Sequence, residues 1–176
     1  MLIYNMHIII PSRRDVKLGK EIKTNAMRFL EKKKIPYKAY HYESDEFLDG
    51  VSVAMKLGKP VEKIFKTLVL QGKSKCYYVC VVPVDGKLDF KKVAKVFNEK
   101  SVEMIPVNDI NQITGYIRGG CSPLGMKKQF PTAIHITALE QDSIMINGGK
   151  LGTNIELDPN DLVKVIQTKV ENLVDI

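Results

Sequence analysis

Apolar and polar positions follow two periods along this chain. A spacing of three to four predicts helix, and alternation or a short continuous apolar run predicts strand. Ile22, Ala26, Phe29 and Leu30 share one helical stripe, so a helix is expected over 21–34. Lys32, Lys33 and Lys34 close it, as the helix dipole favours, and Ile35-Pro36 stops it. Residues 37–42 alternate as a strand, 43–50 are polar loop, and a short helix over 51–57 ends at Gly58. After a turn at 60–63 comes the β-rich run Ile64-Phe65-Lys66-Thr67-Leu68-Val69-Leu70, closed by Gly72. With a second apolar run over 76–84 it predicts a hairpin.

Asp89 is placed to cap a helix through Phe97, with Phe90, Val93, Ala94 and Phe97 on its stripe. A strand is expected over 102–105, then a brief helix capped by Asn108 and ended by Gly115, then a strand over 133–136. Strands over 143–147 and 153–157 flank the glycine cluster 148–152. Asp158-Pro159 starts the last helix, with Leu162, Val163, Ile166 and Val170 as its stripe. Hairpins outnumber strict strand–helix–strand units. The expectation is a single mixed α/β domain over 21–176, a largely antiparallel sheet with helices packed on it. Residues 1–20 are read as an extension, disordered or packed on the surface. They lack the basic start and small-residue cleavage site of a secretory signal. No apolar run approaches the ~20 residues of a membrane helix, so no membrane partner is expected.

Charge adds a preference for partners. The chain of 176 residues carries 27 Lys and Arg against 20 Asp and Glu, a formal net charge of +7, which favours polyanions such as nucleic acid. Lysine pairs and triplets are otherwise ordinary solvated faces. Cys76, Cys80 and Cys121 make no even disulfide set, so a reducing cytoplasm is the default. No second Cys or His pair accompanies them at zinc-ligand spacing, and no metal or cofactor is expected.

Three features carry chemistry. Lys66 is the one charge in an apolar strand; alternation puts it with Leu68 and Leu70, opposite Phe65, Thr67 and Val69. Such a lysine snorkels at the strand entrance or serves a ligand. The segment Gly119-Gly120-Cys121-Ser122-Pro123-Leu124-Gly125 and the cluster Gly148-Gly149-Lys150-Leu151-Gly152 are the other two. Either alone is a tight turn. Two clusters with one strand lysine suggest a pocket with amide donors and a cation, suited to a phosphate or an ester carbonyl. Neither matches a Walker A loop or a dinucleotide fingerprint. Ser122 lacks a nucleophile-elbow context, His7, His41 and His135 have no metal spacing, and Cys121 reads as a small buried thiol. The residues point to binding and electrostatic positioning, without an enzyme nucleophile.

Several of these segments resemble the YbaK family of Cys-tRNA(Pro) deacylases, freestanding relatives of the prolyl-tRNA synthetase editing domain. They are Phe65-Lys66-Thr67-Leu68-Val69, the run from Leu88 to Lys95, Val102-Glu103-Met104, Thr114-Gly115-Tyr116, the run from Gly119 to Lys128, Gly148-Gly149-Lys150, and Ile155-Glu156-Leu157. The resemblance runs from about residue 21 to the C-terminus. It implies a curved mixed sheet with surrounding helices, and hydrolysis of mischarged aminoacyl-tRNA, most simply Cys-tRNA(Pro). Alternatives are editing of another small amino acid such as alanine, or a tRNA- or synthetase-binding module without turnover. It implies Lys66 as the key active-site residue, with Thr67 beside it, Tyr42 lining the pocket, and Gly119 and Gly120 at the scissile ester. Asn147, before Gly148 and Gly149, stands where close relatives carry serine. Asn154 stands where some carry aspartate. Aminoacyl-tRNA and prolyl-tRNA synthetase are the implied partners, and the mischarged cysteine's own thiol is the implied attacking group.

Overall fold

The computed structural model describes residues 23–43 and 47–175. The expected extension 1–20 and the first two residues of the predicted first helix lie outside them. Helix α1, Asn25–Lys32, begins where the Thr24 hydroxyl accepts the Met27 amide and buries Ala26, Met27 and Leu30. Helix α2, Gly50–Leu57, is capped by Asp49 and ended by Gly58 in the left-handed region, φ 62°.

A five-stranded sheet is built on β2, Phe65–Gly72, and β3, Tyr77–Pro83. They form the predicted antiparallel hairpin, with Lys66 opposite Val82 and Thr67 opposite Val81. Strand β5, Val102–Met104, pairs antiparallel with the other side of β2. Strands β6, Thr132–His135, and β9, Lys169–Glu171, extend the β3 side in parallel. A three-stranded antiparallel sheet holds β1, Lys38–His41, β8, Thr153–Leu157, and β7, Ile144–Lys150, in that order. A parallel bridge between Ile64 and Met145 joins the two sheets at the start of β2. Strands β4, Lys87–Leu88, and β10, Val174–Asp175, form a small ribbon.

Alternation on β2 separates two cores, as the sequence pattern requires. Phe65 packs with Leu30, Ile134, Ile146, Ile155 and Leu162. Leu70 packs with Cys80, Val82, Val93, Phe97 and Leu173, below α3, Phe90–Val96. Truncating a fully buried residue such as Leu30 or Leu162 to alanine costs about 2–5 kcal/mol. Among the described residues no helix is long and apolar enough to cross a membrane.

Four details depart from the sequence pattern. Phe90 is 43% exposed, because Asp89 caps α3 and leaves Phe90 at the first helical position, ahead of the buried stripe. Asn108 caps nothing. It lies in a 3-10 turn, Val107–Asp109, that feeds helix α4, Ile110–Thr114, and Gly115 ends that helix at φ 85°. The last helix, α5, is Pro159–Val165; the chain turns at Gln167, φ 51°, and Val170 joins β9. Gly148 and Gly149 are not in the turn. They lie inside β7, where the pairing register shifts between Asn147 and Lys150.

Candidate active site

A cavity of about 460 Å³ opens beside the start of β2, within the range of small-ligand sites. Its walls come from β2, the N-terminal end of α2, the loop between α4 and β6, and strands β7 and β8. Six residues singled out in the sequence meet there: Tyr42, Lys66, Thr67, Gly119, Asn147 and Asn154. Gly120, Gly148 and Gly149 stand behind the lining. A Cβ on Gly120 would sit 3.3 Å from the Leu151 amide nitrogen, one on Gly148 2.7 Å from Thr153 Cγ2, and one on Gly149 3.0 Å from the Tyr116 ring. Their small size lets the two glycine segments close on each other.

Lys66 is half-buried, and its ammonium donates to the carbonyls of Val84, at 3.0 Å, and Gly86, at 2.8 Å. Alternation on β2 turns the side chain toward the end of the hairpin partner, where the chain leaves β3 and its carbonyls are free of the sheet. Burial pushes the ammonium below its ordinary value, and the Asp85 carboxylate opposes that shift. Two of its three N–H groups are taken by carbonyls, which leaves one for a ligand. Asp49, also on the lining, is occupied by the Ser52 amide and hydroxyl, at 2.9 and 2.8 Å. Arg118 adds a second cation to the wall. The wall therefore suits a group carrying or developing negative charge.

Two buried polar atoms among the described residues lack a hydrogen-bond partner, Thr67 Oγ1 and Asn154 Oδ1, and both residues line the cavity. Leaving such an atom unpaired costs about 1–3 kcal/mol; both atoms are covered, so a ligand reaches either only after its side chain turns. Asn147 behaves differently. Its Nδ2 donates to the Gly119 carbonyl at 2.5 Å and its Oδ1 accepts the Gly149 amide at 2.8 Å. Both ends of the amide are spent: the Nδ2 end fastens the α4–β6 loop to β7, and the Oδ1 end bonds within β7 where its register shifts. Tyr42 is half-buried, its hydroxyl raised by desolvation. The backbone of Gly152 closes on it, through a 2.8 Å bond from the Tyr42 amide to the Gly152 carbonyl.

Among the described residues no activated nucleophile is built into the wall. Cys121 lines the cavity, but burial pushes its thiol up to about 12. Ser122 is fully buried, and its Oγ accepts the Leu124 amide at 3.3 Å. His135 lies on β6 and its Nδ1 accepts the Leu173 amide at 3.0 Å. His41 faces Thr153 Oγ1 at 3.1 Å. His7 is outside the described residues. Among the described residues no three His, Cys, Asp or Glu side chains gather to hold a metal ion.

Sequence reasoning missed two parts of this site. One is the carbonyl pair of Val84 and Gly86, for which the only signal was the Asp85-Gly86 turn. The other is Arg118, whose guanidinium lies 4.5 Å from the centre of the Phe47 ring; its only signal was its place before Gly119-Gly120.

The aminoacyl-tRNA editing domain family matches residues 49–165. The chain is 46% identical over 144 residues to EbsC of Enterococcus faecalis, named as a Cys-tRNA(Pro)/Cys-tRNA(Cys) deacylase; the match covers 81% of this chain and 88% of that one. It is 36% identical over 75 residues to a proline–tRNA ligase of Fervidobacterium nodosum, which covers 43% of this chain and 13% of the ligase. Among solved structures, a trans-editing enzyme for prolyl-tRNA synthetase superimposes with a TM-score of 0.78 at 20% identity, covering 89% of this chain and all of that one, and at that identity it speaks for the fold. The match over residues 49–165 and the 46% identity place the conclusion beyond the fold: this chain belongs to the aminoacyl-tRNA editing domain family.

Proposed function

We propose that this chain is a hydrolase that removes cysteine from mischarged Cys-tRNA(Pro), with Lys66 as the residue on which the reaction depends. One observation carries the mechanism: a tethered cation, Lys66, lines the cavity, while among the described residues no activated nucleophile stands beside it. An aminoacyl ester is already activated, so binding and oxyanion stabilisation suffice, each such donor contributing about 2.7–4 kcal/mol. The substrate supplies the attacking group. Its thiol bonds to its own ester carbonyl, the carbon–oxygen bond to the tRNA breaks, and the 3′-terminal oxygen takes the thiol proton. Water then opens the cyclic thioester to free cysteine. The free N–H of Lys66 meets the developing charge at the ester or the adjoining ribose, Thr67 and Asn154 meet donors of the aminoacyl group, and Tyr42 and Gly119 enclose it. Asn147 holds Gly119 in place.

The likeness to a proline–tRNA ligase segment supports prolyl-tRNA synthetase as the partner that hands over the tRNA. This reading places the work in the cytoplasm, where tRNA is charged. The test is incubation with Cys-tRNA(Pro) and, separately, Ala-tRNA(Pro). Release of cysteine is expected. Release of alanine alone would reassign the amino acid, and binding without release of either would make the chain a tRNA-binding module.

A further inference from the structure

The α4–β6 loop reaches the cavity only through Arg118, Gly119 and Cys121, and a buried tyrosine stands behind them. Tyr116 is 5% exposed. Its hydroxyl donates to the Leu124 carbonyl at 2.6 Å, which ties the two ends of the segment 117–123 together. Just outside that tie, Thr114 Oγ1 accepts the Tyr116 amide and the Thr114 carbonyl accepts the Lys127 amide, both at 3.0 Å. The Tyr116 ring packs with Val69, Ile105 and Cys121. It also meets β7 where the register shifts: a Cβ on Gly149 would sit 3.0 Å from Tyr116 Cε1. One side chain therefore touches the neck of the loop, a residue that the loop presents to the cavity, and the strand that carries Asn147.

We propose that Tyr116 is a positioning residue: its hydroxyl latches the loop so that Gly119 and Cys121 keep their places opposite β7. Its consequence for catalysis rests on the deacylase reading, which places the ester at Gly119. A phenylalanine would fill the same core volume, so packing alone gives no reason for a hydroxyl here. A buried hydroxyl needs a partner, and this one finds it in a loop carbonyl. Burial pushes the phenol up, so it stays a neutral donor at physiological pH. Gly119 and Gly120 have no side chains to anchor the backbone between the two ends of the segment. The loop is thus held from two sides, by Asn147 at the Gly119 carbonyl and by Tyr116 at the Leu124 carbonyl. Loss of either bond lets the glycines shift relative to Lys66, and a misplacement of about 1 Å can cost about 100-fold in rate.

The experiment uses the full chain with the exposed Cys76 replaced by serine, so that two buried thiols remain. Cys80 lies on β3 in the other core and Cys121 lies in the loop. Alkylation by iodoacetamide, resolved by peptide mass, then reads global opening at Cys80 and loop opening at Cys121. Tyr116→Phe should raise the Cys121 rate about 5- to 100-fold, as expected for a stranded carbonyl, and leave the Cys80 rate unchanged. On Cys-tRNA(Pro) the same variant should lower kcat about tenfold and keep KM within about twofold, because the loop places the ester and does not hold the body of the tRNA. Equal rises at both thiols would make Tyr116 an ordinary core residue and overturn the proposal. So would a Cys121 rate that stays at the wild-type value, or a loosened loop with wild-type kcat. Alkylation needs no tRNA, so a rise confined to Cys121 in a chain that releases no amino acid would remove the function reading and leave the latch. Deacylation by wild-type protein without that rise in the variant would do the reverse.

Discussion

Lys66 and His135 pose the same physical problem on one sheet. Each is a titratable side chain set in an apolar strand, Lys66 on β2 and His135 on β6, and burial pulls both below their ordinary values. The surroundings solve it in opposite ways. Lys66 lines the cavity and faces two carbonyls, which only a donor can satisfy and which take two of its three N–H groups. His135 is 5% exposed and faces an amide donor, Leu173 N–H, which only an unprotonated ring nitrogen can satisfy. The first arrangement leaves one N–H over. In the second the ring nitrogen is spent on the backbone, and the effect is to hold the C-terminal segment beside β6. A buried polar group is therefore functional according to what its partners leave over.

The largest effect should come from removing the offered group. Lys66→Ala is expected to lower deacylation by about two to three orders of magnitude, in line with loss of one preorganised donor. Its unfolding midpoint should stay near wild type, because the freed carbonyls lie in the turn after β3, outside the sheet's own hydrogen bonds. Wild-type turnover in that variant would reduce Lys66 to a snorkelling surface residue and erase the contrast with His135.

Asn147 tests the frame around the lysine. Asn147→Asp keeps the acceptor for the Gly149 amide but replaces the donor to the Gly119 carbonyl with an oxygen. The repelled loop should cost about 1–3 kcal/mol, read as roughly 5- to 100-fold in turnover. Asn147→Ser, with a shorter donor, should recover part of it. If Asn147→Asp turns over normally, the amide brace has no part in placing Gly119.

His135 should answer in stability and not in activity. His135→Ala strands the Leu173 amide and opens a small void, a loss of about 2–3 kcal/mol. The pH dependence has a definite sign. Desolvation lowers the folded-state value, the Lys92 charge lowers it further, and Glu140 opposes. The folded state thus prefers the neutral ring, so its contribution is complete above the ordinary histidine value near about 6.5 and declines as pH falls below it. Denaturant titrations between pH 7.5 and 5 should show that decline in wild type and a shallower one in His135→Ala. Equal slopes would mean that protonation leaves the Leu173 contact intact.

Much of this was legible in the residues. The hairpin of β2 and β3, the alternation that sends Phe65 and Leu70 into different cores, and the Asp89 and Asp158 caps follow from period and cap chemistry alone. So did the gathering of Lys66, Thr67 and the α4–β6 loop around one cavity, once the motifs were matched to a family. Contacts between distant segments were not legible. Asn147 reads as a free side chain until Gly119 is seen beside it. The tether of Lys66 depends on where the chain leaves β3, and the exposure of Phe90 depends on one helical position. Val170 carries the right spacing for a helix that has already ended, because the left-handed turn at Gln167 gives no apolar signal.

Cys121 supplies the smallest expected effect. It touches the cavity as Lys66 does while lacking anything that would activate it. Its thiol is held up near about 12 by burial, with only the Thr114 hydroxyl opposing. The thiolate, which is the nucleophilic form, is then a vanishing fraction at neutral pH. Its side chain packs with Val69, Ile105 and Tyr116, so its service is volume. Cys121→Ser conserves most of that volume and should retain turnover within about threefold, with a stability loss of about 1 kcal/mol for a buried hydroxyl. The companion measurement is wild-type protein on Ser-tRNA(Pro), which should react far more slowly than Cys-tRNA(Pro), because the attacking sulfur belongs to the substrate. A folded Cys121→Ser variant that binds tRNA but releases no cysteine would reverse both assignments. It would make Cys121 the nucleophile and leave Lys66 the task of lowering its pKa.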